Sequence, residues 1–218
     1  MKPKTLFLAA LAVLLLVFAG GATYYSAQQS EQAAQQAAAN RPALMRMHSP
    51  TIGRAGAPVV VVEFLDPACG TCAAFYPRVK SIMAANPDQI RLVLRWAPFH
   101  PGSDKVVAVL EAARKQGKLW PALEALLASQ DDWSPNHSPQ VARVWKHLDG
   151  LGLDMERLAL DASSPDIARS IAQDLADAQT LNVTQTPEYF VNGKPLPSFG
   201  FEQLKGLIDE ALAQARPR

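Results

Sequence analysis

Cys69 and Cys72 are the only cysteines in 218 residues, and they stand in the order Cys69-Gly70-Thr71-Cys72. At this spacing two thiols can close a small-ring disulfide or supply half of a metal site. Structural zinc commonly takes four Cys or His ligands from two close pairs. There is no second cysteine pair, and His48, His100, His137 and His147 are scattered, none at ligand spacing from another. The pattern therefore argues against metal, and no motif asks for another cofactor. Two cysteines adjacent by coincidence are the remaining bland alternative.

The elements around the pair decide between these chemistries. Val59 to Leu65 is an apolar run and reads as a strand buried on both faces. Asp66-Pro67 breaks it, and a helical segment follows over Ala73 to Ala85, with Cys69 at the helix start. Pro77 lies inside that helix and is expected to kink it. Asn86-Pro87-Asp88 ends it, and Ile90 to Trp96 is a second strand. Strand, crossover helix and strand make a right-handed, parallel βαβ unit. A CxxC pair at that place has the setting of a dithiol redox motif. Free N–H groups and partial positive charge at the helix N-terminus stabilise a thiolate at Cys69, read as the exposed thiol. Cys72, one turn in and partly buried, is the resolving thiol.

Two further features point the same way. Glu63 lies within the apolar strand, six residues before Cys69. An acid buried near the thiols has a raised pKa and can relay the proton of Cys72. The competing reading points Glu63 to solvent at a strand edge. Thr186-Pro187 precedes a strand, Glu188 to Val191. A cis bond there turns the chain sharply and exposes backbone groups beside the thiols, where an extended peptide can pair.

Between these pieces the pattern turns helical, from Ser103 to about Leu181. Apolar faces run through Val106, Val107, Leu110 and Ala113, then Leu119, Leu123, Leu126 and Leu127. Asp131 to Pro139 reads as a polar loop containing Trp133. Further stripes include Val141, Val144, Trp145 and Leu148, then Met155 to Leu160, then Ile167, Ile171 and Leu175 after Ser164-Pro165. The α/β frame resumes with the strand before Asn192-Gly193, a strong hairpin signal. A terminal amphipathic helix carries Phe201, Leu204, Leu207, Ile208 and Leu212.

The N-terminus is unlike the rest. Lys2 and Lys4 precede an apolar stretch from Thr5 to Ala22, and no further charge appears until Glu31. That is an export signal. It is either cleaved near Ala19, Gly20 and Gly21 or kept as an anchor. Residues 5–25 are long enough for a span of about 20 residues, with Tyr24 and Tyr25 at the interface. Either way Arg41 onward lies outside the cytoplasm, where disulfides persist. Ala27 to Asn40 is Ala/Gln-rich and reads as a stalk, with an oligomerising helix as the sharper alternative. Pro42 to Pro58 reads as a linker. Its Met45, Met47 and His48 are read as packing on the domain and not as soft-metal ligands. The chain divides as residues 1–26 (signal or anchor), 27–55 (stalk and linker), 56–102 (first α/β part), 103–181 (helical insertion) and 182–218 (second α/β part). Net charge is +1, which gives no argument for nucleic acid or for an acidic partner.

The combination resembles the thioredoxin superfamily, specifically the DsbA-like branch of extracytoplasmic thiol–disulfide oxidoreductases. The matching pieces are Val62-Glu63-Phe64-Leu65-Asp66 before Cys69-Gly70-Thr71-Cys72, and Thr186-Pro187-Glu188-Tyr189-Phe190-Val191-Asn192-Gly193-Lys194. The helical insertion between them fits that branch, where plain thioredoxin has only a short connection. The resemblance implies an α/β thioredoxin fold with an inserted helical domain, preceded here by an N-terminal membrane segment. It implies Cys69 as nucleophile, Cys72 as resolving thiol, Glu63 as buried acid and Pro187 as the cis-proline, with Thr186 as its substrate-binding neighbour beside Gly70 and Thr71. Strong oxidants of the branch carry Pro-His between the cysteines. Gly70-Thr71 brings no positive charge, so the expected Cys69 pKa is below the free value of ~8.5 but above the ~3.5 of DsbA.

The leading expectation is a protein disulfide oxidase in the periplasm, held at the bacterial inner membrane through residues 5–25 or soluble after signal cleavage. Its partners would be exported proteins with thiols. A quinone-linked membrane oxidase is implied by the resemblance alone. The alternatives are an isomerase or reductase that oligomerises through its stalk, and a non-enzymatic thioredoxin-like copper or chaperone module.

Overall fold

The computed structural model describes residues 3–216, so Lys2 of the basic n-region lies outside the described residues. Two compact units emerge, Met1–Ala39 and Asn40–Arg218. The first is the body of a continuous helix, α1 (Pro3–Leu44). Its Phe7, Leu14, Leu15, Leu16, Val17, Phe18, Tyr24 and Tyr25 are exposed. Side chains of most of residues 3–13 lie outside the description, and among the described residues no helix is long and apolar enough to cross a membrane. The membrane segment expected at residues 5–25 is thus helical in backbone but not established as a span.

The second unit is built on a five-stranded sheet in the order β1-β3-β2-β4-β5. Its strands are β1 (Thr51–Ile52), β2 (Val59–Leu65), β3 (Ile90–Trp96), β4 (Glu188–Val191) and β5 (Lys194–Pro195). Strands β2 and β3 pair in parallel, with Glu63 opposite Leu94, and the other pairings are antiparallel. The run of β-branched residues in β2 is buried on both faces, as an interior strand requires. Asn192 and Gly193 both take positive φ, 48° and 84°, the geometry of a two-residue hairpin turn that joins β4 to β5.

One sheet face packs Val59, Val61, Ile90, Leu92, Tyr189 and Val191 against α2 (Gly70–Ala85) and α9 (Phe201–Ala215). Helix α2 continues through Pro77 as one element. The opposite face packs Val62, Phe64, Val93 and Phe190 against Leu44, Ala178 and Val183. Between β3 and β4 lie α3 (Ser103–Lys115), α4 (Leu119–Ala128), α5 (Gln130–Trp133), α6 (Val141–Val144), α7 (Met155–Ala162) and α8 (Pro165–Thr180), with two short 3-10 turns around α6. Their core joins Leu65, Cys72 and Trp96 to Val106, Leu110, Leu123, Leu126, Trp133 and Leu148.

Two expectations change. The segment read as a polar loop begins with α5, because Trp133 is fully buried and its indole N–H donates to the Leu126 carbonyl at 2.7 Å. The segment read as a linker is fixed to the fold. Its β1 pairs with β3, Arg46 binds Asp177 at 2.8 Å through Nε, and His48 Nε2 lies 2.7 Å from Asp174. Asp174 and Asp177 also hold the fully buried Arg95 of β3, which reaches the Ala43 carbonyl as well. A buried guanidinium needs such partners, and they come from α8 and from the end of α1.

Candidate active site

The strand, the turn and the helix place the two sulfurs. Asp66, at the end of β2, is fully buried and accepts the Ala68 N–H at 2.8 Å. That tight turn delivers Cys69 as the N-cap of α2, in extended conformation. The first turn of the helix, which has free N–H groups, therefore starts at the nucleophile candidate. Both cysteines are free thiols. Cys72 is fully buried, and Cys69 is only 6% exposed, less than the sequence reading of an exposed thiol expected. The cover comes in part from Thr186, whose carbonyl lies 3.2 Å from Cys69 Sγ. The Thr186–Pro187 bond is cis, and Pro187 is buried while Thr186, Gly70 and Thr71 are half-buried. All seven residues singled out from the sequence thus belong to one locality or to the layer directly beneath it.

The electrostatics separate the two thiols. Cys69 is lowered to about 5, chiefly by the hydrogen bond from Cys72, with further support from Thr186 and from the backbone N–H groups of Cys72 and Thr71. Burial is the main force that pushes Cys72 well up, and the Cys69 charge adds to it. Glu63 is fully buried on β2, opposite Tyr189 of β4. The Tyr189 hydroxyl donates to its Oε1 at 2.8 Å, and its Oε2 has no hydrogen-bond partner in the structure. Burial pushes Glu63 up to about 8; the Tyr189 hydrogen bond offsets part of this, and the Cys69 charge adds to it. The solvent-facing alternative for Glu63 does not hold. A carboxyl that keeps its proton near neutrality beneath a thiolate-forming pair can exchange that proton with the buried thiol.

Sequence reasoning missed four more side chains. Gln130 of α5 donates to the carbonyls of Pro67 (2.7 Å) and Cys69 (3.1 Å). His100 Nδ1 is 2.7 Å from Asp66. The His100 ring stacks on that of His137, centroids 5.0 Å apart, so two histidines that look scattered in sequence meet beside Gly70. The available sequence signal was Asp66 itself, an acid placed between a buried strand and the motif. Among the described residues no group of three or more His, Cys, Asp or Glu side chains is arranged to hold a metal ion.

The fold has known relatives. A thioredoxin family model matches residues 45–210. The chain belongs to the thioredoxin family. A thioredoxin-like oxidoreductase from Silicibacter pomeroyi is 31% identical, with TM-score 0.69 over 81% of this chain and 99% of that one. The alpha-DsbA1 of Wolbachia pipientis is 18% identical and shares the fold, with TM-score 0.69 over 81% of this chain and 96% of its own. BdbD from Bacillus subtilis, 22% identical, shares the fold as well, with TM-score 0.66 over 76% of this chain and 94% of its own. A Na(+)/H(+) antiporter NhaA from Salinispora tropica is 32% identical over 166 residues, 74% of this chain. The chain spans about a quarter (24%) of that relative's length, so the match concerns one part of a larger protein.

Proposed function

We propose that this protein is an extracytoplasmic dithiol oxidase that donates a Cys69–Cys72 disulfide to thiols of exported proteins. The observation that carries the reading is the opposite displacement of the two thiols, Cys69 down to about 5 and Cys72 well up. A substrate thiolate attacks Cys69 Sγ and breaks the Cys69–Cys72 bond, whose electron pair leaves on Cys72. Cys72, a poor thiolate in its buried site, takes a proton, and Glu63 is the acid placed to give it. The mixed disulfide on Cys69 is then attacked at the substrate sulfur by the second substrate thiol. Cys69 departs as a stable thiolate, which a low pKa favours in a leaving group. Two substrate thiols are oxidised and one enzyme disulfide is reduced. Thr186 and Pro187, with Gly70 and Thr71, line the face where the substrate backbone approaches. Reoxidation falls to a quinone-linked membrane oxidase.

The same proposal keeps the five segments, 1–26, 27–55, 56–102, 103–181 and 182–218, with residues 5–25 in the inner membrane and the rest in the periplasm. Exposed Leu14 to Phe18 support it, since five consecutive large apolar side chains around a helix favour a nonaqueous surround. A second reading, an isomerase or reductase that oligomerises through residues 27–40, is favoured by one observation: α1 runs unbroken through that stretch.

The deciding experiment is the equilibrium of the Cys69–Cys72 pair with glutathione, together with its redox state in intact cells. An oxidase has an oxidising pair, held as the disulfide at steady state. A potential as low as the roughly −270 mV of thioredoxin, with the pair reduced in cells, refutes the oxidase reading and leaves the reductase.

A further inference from the structure

The helical insertion reaches the turn before α2 through the 3-10 segment Pro135–His137. His137 Nδ1 lies 3.0 Å from the Ala68 carbonyl oxygen and 3.4 Å from the Gly70 nitrogen. One ring nitrogen cannot serve both. Unprotonated, it accepts the Gly70 N–H; protonated, it donates to the Ala68 carbonyl. The Gly70 N–H belongs to the unpaired first turn of α2, beside Cys69. A neutral ring protonated on Nε2 occupies one of the donors at that helix end, whereas a neutral ring protonated on Nδ1 donates to the Ala68 carbonyl and leaves it free. An imidazolium gives the donor back and adds positive charge at the same place. Both changes favour an anion on Cys69.

The fit around the ring is built from several sides. A Cβ on Gly70 would lie 3.3 Å from His137 Cε1, tighter than ordinary contact, so the residue after the nucleophile is small where a ring from the insertion fills the space. Asn136 and His137 both take positive φ, 51° and 58°, a backbone form that non-glycine residues adopt rarely and that clusters at functional sites. The groups facing the ring are His100, stacked on it, the buried carboxylate of Asp66 behind His100, and the backbone of Ala68 and Gly70 on either side of Cys69. Of the two acids on α5, Asp132 is engaged by Lys146 and His147.

We propose that His137 is a positioning residue for the Cys69 thiolate, an imidazole delivered from the helical insertion that protonates when Cys69 is reduced, with His100 and Asp66 holding it in place. Departure of Cys69 as a thiolate raises the proton occupancy of His137 from solvent, and re-formation of the disulfide lowers it again. The proposal rests on Cys69 being the exchanging thiol.

The test is a histidine-labelled NMR titration of the full chain from pH 5 to 8.5 in the oxidised and reduced states, with the His137 signal assigned through His137→Gln. The expected result is a His137 midpoint higher in the reduced protein by about half a unit, a roughly threefold change in proton affinity. By reciprocity the thiolate absorbance of Cys69 moves to higher pH by the same amount in His137→Gln. Gln can still donate to the Ala68 carbonyl, so a purely structural role leaves both midpoints where they are. Coincident His137 midpoints in the two redox states, with a normal low-pH thiolate, overturn the role of His137 alone. A wild-type protein with no thiolate below pH 8 overturns the assignment of Cys69 and this proposal with it.

Discussion

Glu63→Gln separates the two demands placed on the buried acid, since it keeps the shape and the acceptor for Tyr189 but cannot ionise. In the folded protein Glu63 holds its proton to about pH 8, against 4.5 for an ordinary glutamate. An acid whose folded pKa is raised destabilises the fold as pH rises: below 4.5 both states are protonated and nothing is lost. Between 4.5 and about 8 the unfolded chain releases a proton that the folded one keeps. Stability then falls by about 1.4 kcal/mol per pH unit. At pH 7 the accumulated loss is about 3 kcal/mol, and it levels off above pH 8. Gln removes this term, while titrating groups remote from Glu63 cancel in the difference between variant and wild type. The assay is urea unfolding of the reduced proteins at several pH values. The stability advantage of Glu63→Gln is expected to grow by roughly 3–4 kcal/mol from pH 5 to pH 8, while its rate of disulfide exchange falls by about 100-fold, the lower range for loss of a general acid. A stability difference that stays constant over that range would show that Glu63 is not a raised buried acid, and an unchanged rate would remove it from the proton path.

Cys69→Ser is expected to abolish exchange without unfolding the domain, whereas Cys72→Ser traps the mixed disulfide on Cys69; gel analysis under non-reducing conditions distinguishes them. Cys72→Ser should also move the Cys69 midpoint, read by alkylation rate against pH, because the hydrogen bond from Cys72 is the largest influence holding it near 5. In the reduced wild type that depressed thiol contributes stability that is complete above its unfolded value of about 9 and is lost as pH falls through about 5. Glu63→Gln should therefore unmask a rise in stability from pH 5 to 8 that the wild type conceals. Asp174→Ala leaves the buried Arg95 with Asp177 and the Ala43 carbonyl as its remaining partners and is expected to destabilise the fold by about 1–3 kcal/mol, with a lower urea midpoint and little change in the Cys69 alkylation profile.

Much of the frame was readable from local pattern. Strands β2 and β3 fall on the residues expected because their apolar, β-branched runs are long enough to be buried on both faces, and the Asn192-Gly193 turn has a backbone requirement that few residue pairs meet. The cysteine pair was legible because its chemistry is coded in spacing, and Glu63 because an acid inside an apolar strand is anomalous. What failed was long-range in sequence. Pro42 to Pro58 looked like a linker because its partners, Asp174 and Asp177, lie more than 120 residues away. Asp131 to Pro139 looked like a polar loop, and only the fold reveals that His137 within it and Gln130 just before it face Pro67, Ala68, Cys69 and Gly70.

That pattern of contacts gives the helical insertion a second role beyond burying apolar area. The turn from Asp66 to Gly70 holds the Cys69 sulfur at a helix end, next to the Thr186 carbonyl. The turn closes on itself through the Cys69 N–H to the Asp66 carbonyl at 3.0 Å, but Cys69 makes no side-chain cap to α2 and Gly70 has no side chain to add. Gln130 supplies two hydrogen bonds to the carbonyls of that turn from α5, and Asp66 ties it to His100, at the other end of the loop that leaves β3. The Thr71 and Cys72 N–H groups are directed at the sulfur, an arrangement fixed before substrate arrives. A chain with the same Cys69-Gly70-Thr71-Cys72 motif and no insertion would lack this external clamp, so the four residues of the motif do not by themselves determine how strongly Cys69 is acidified.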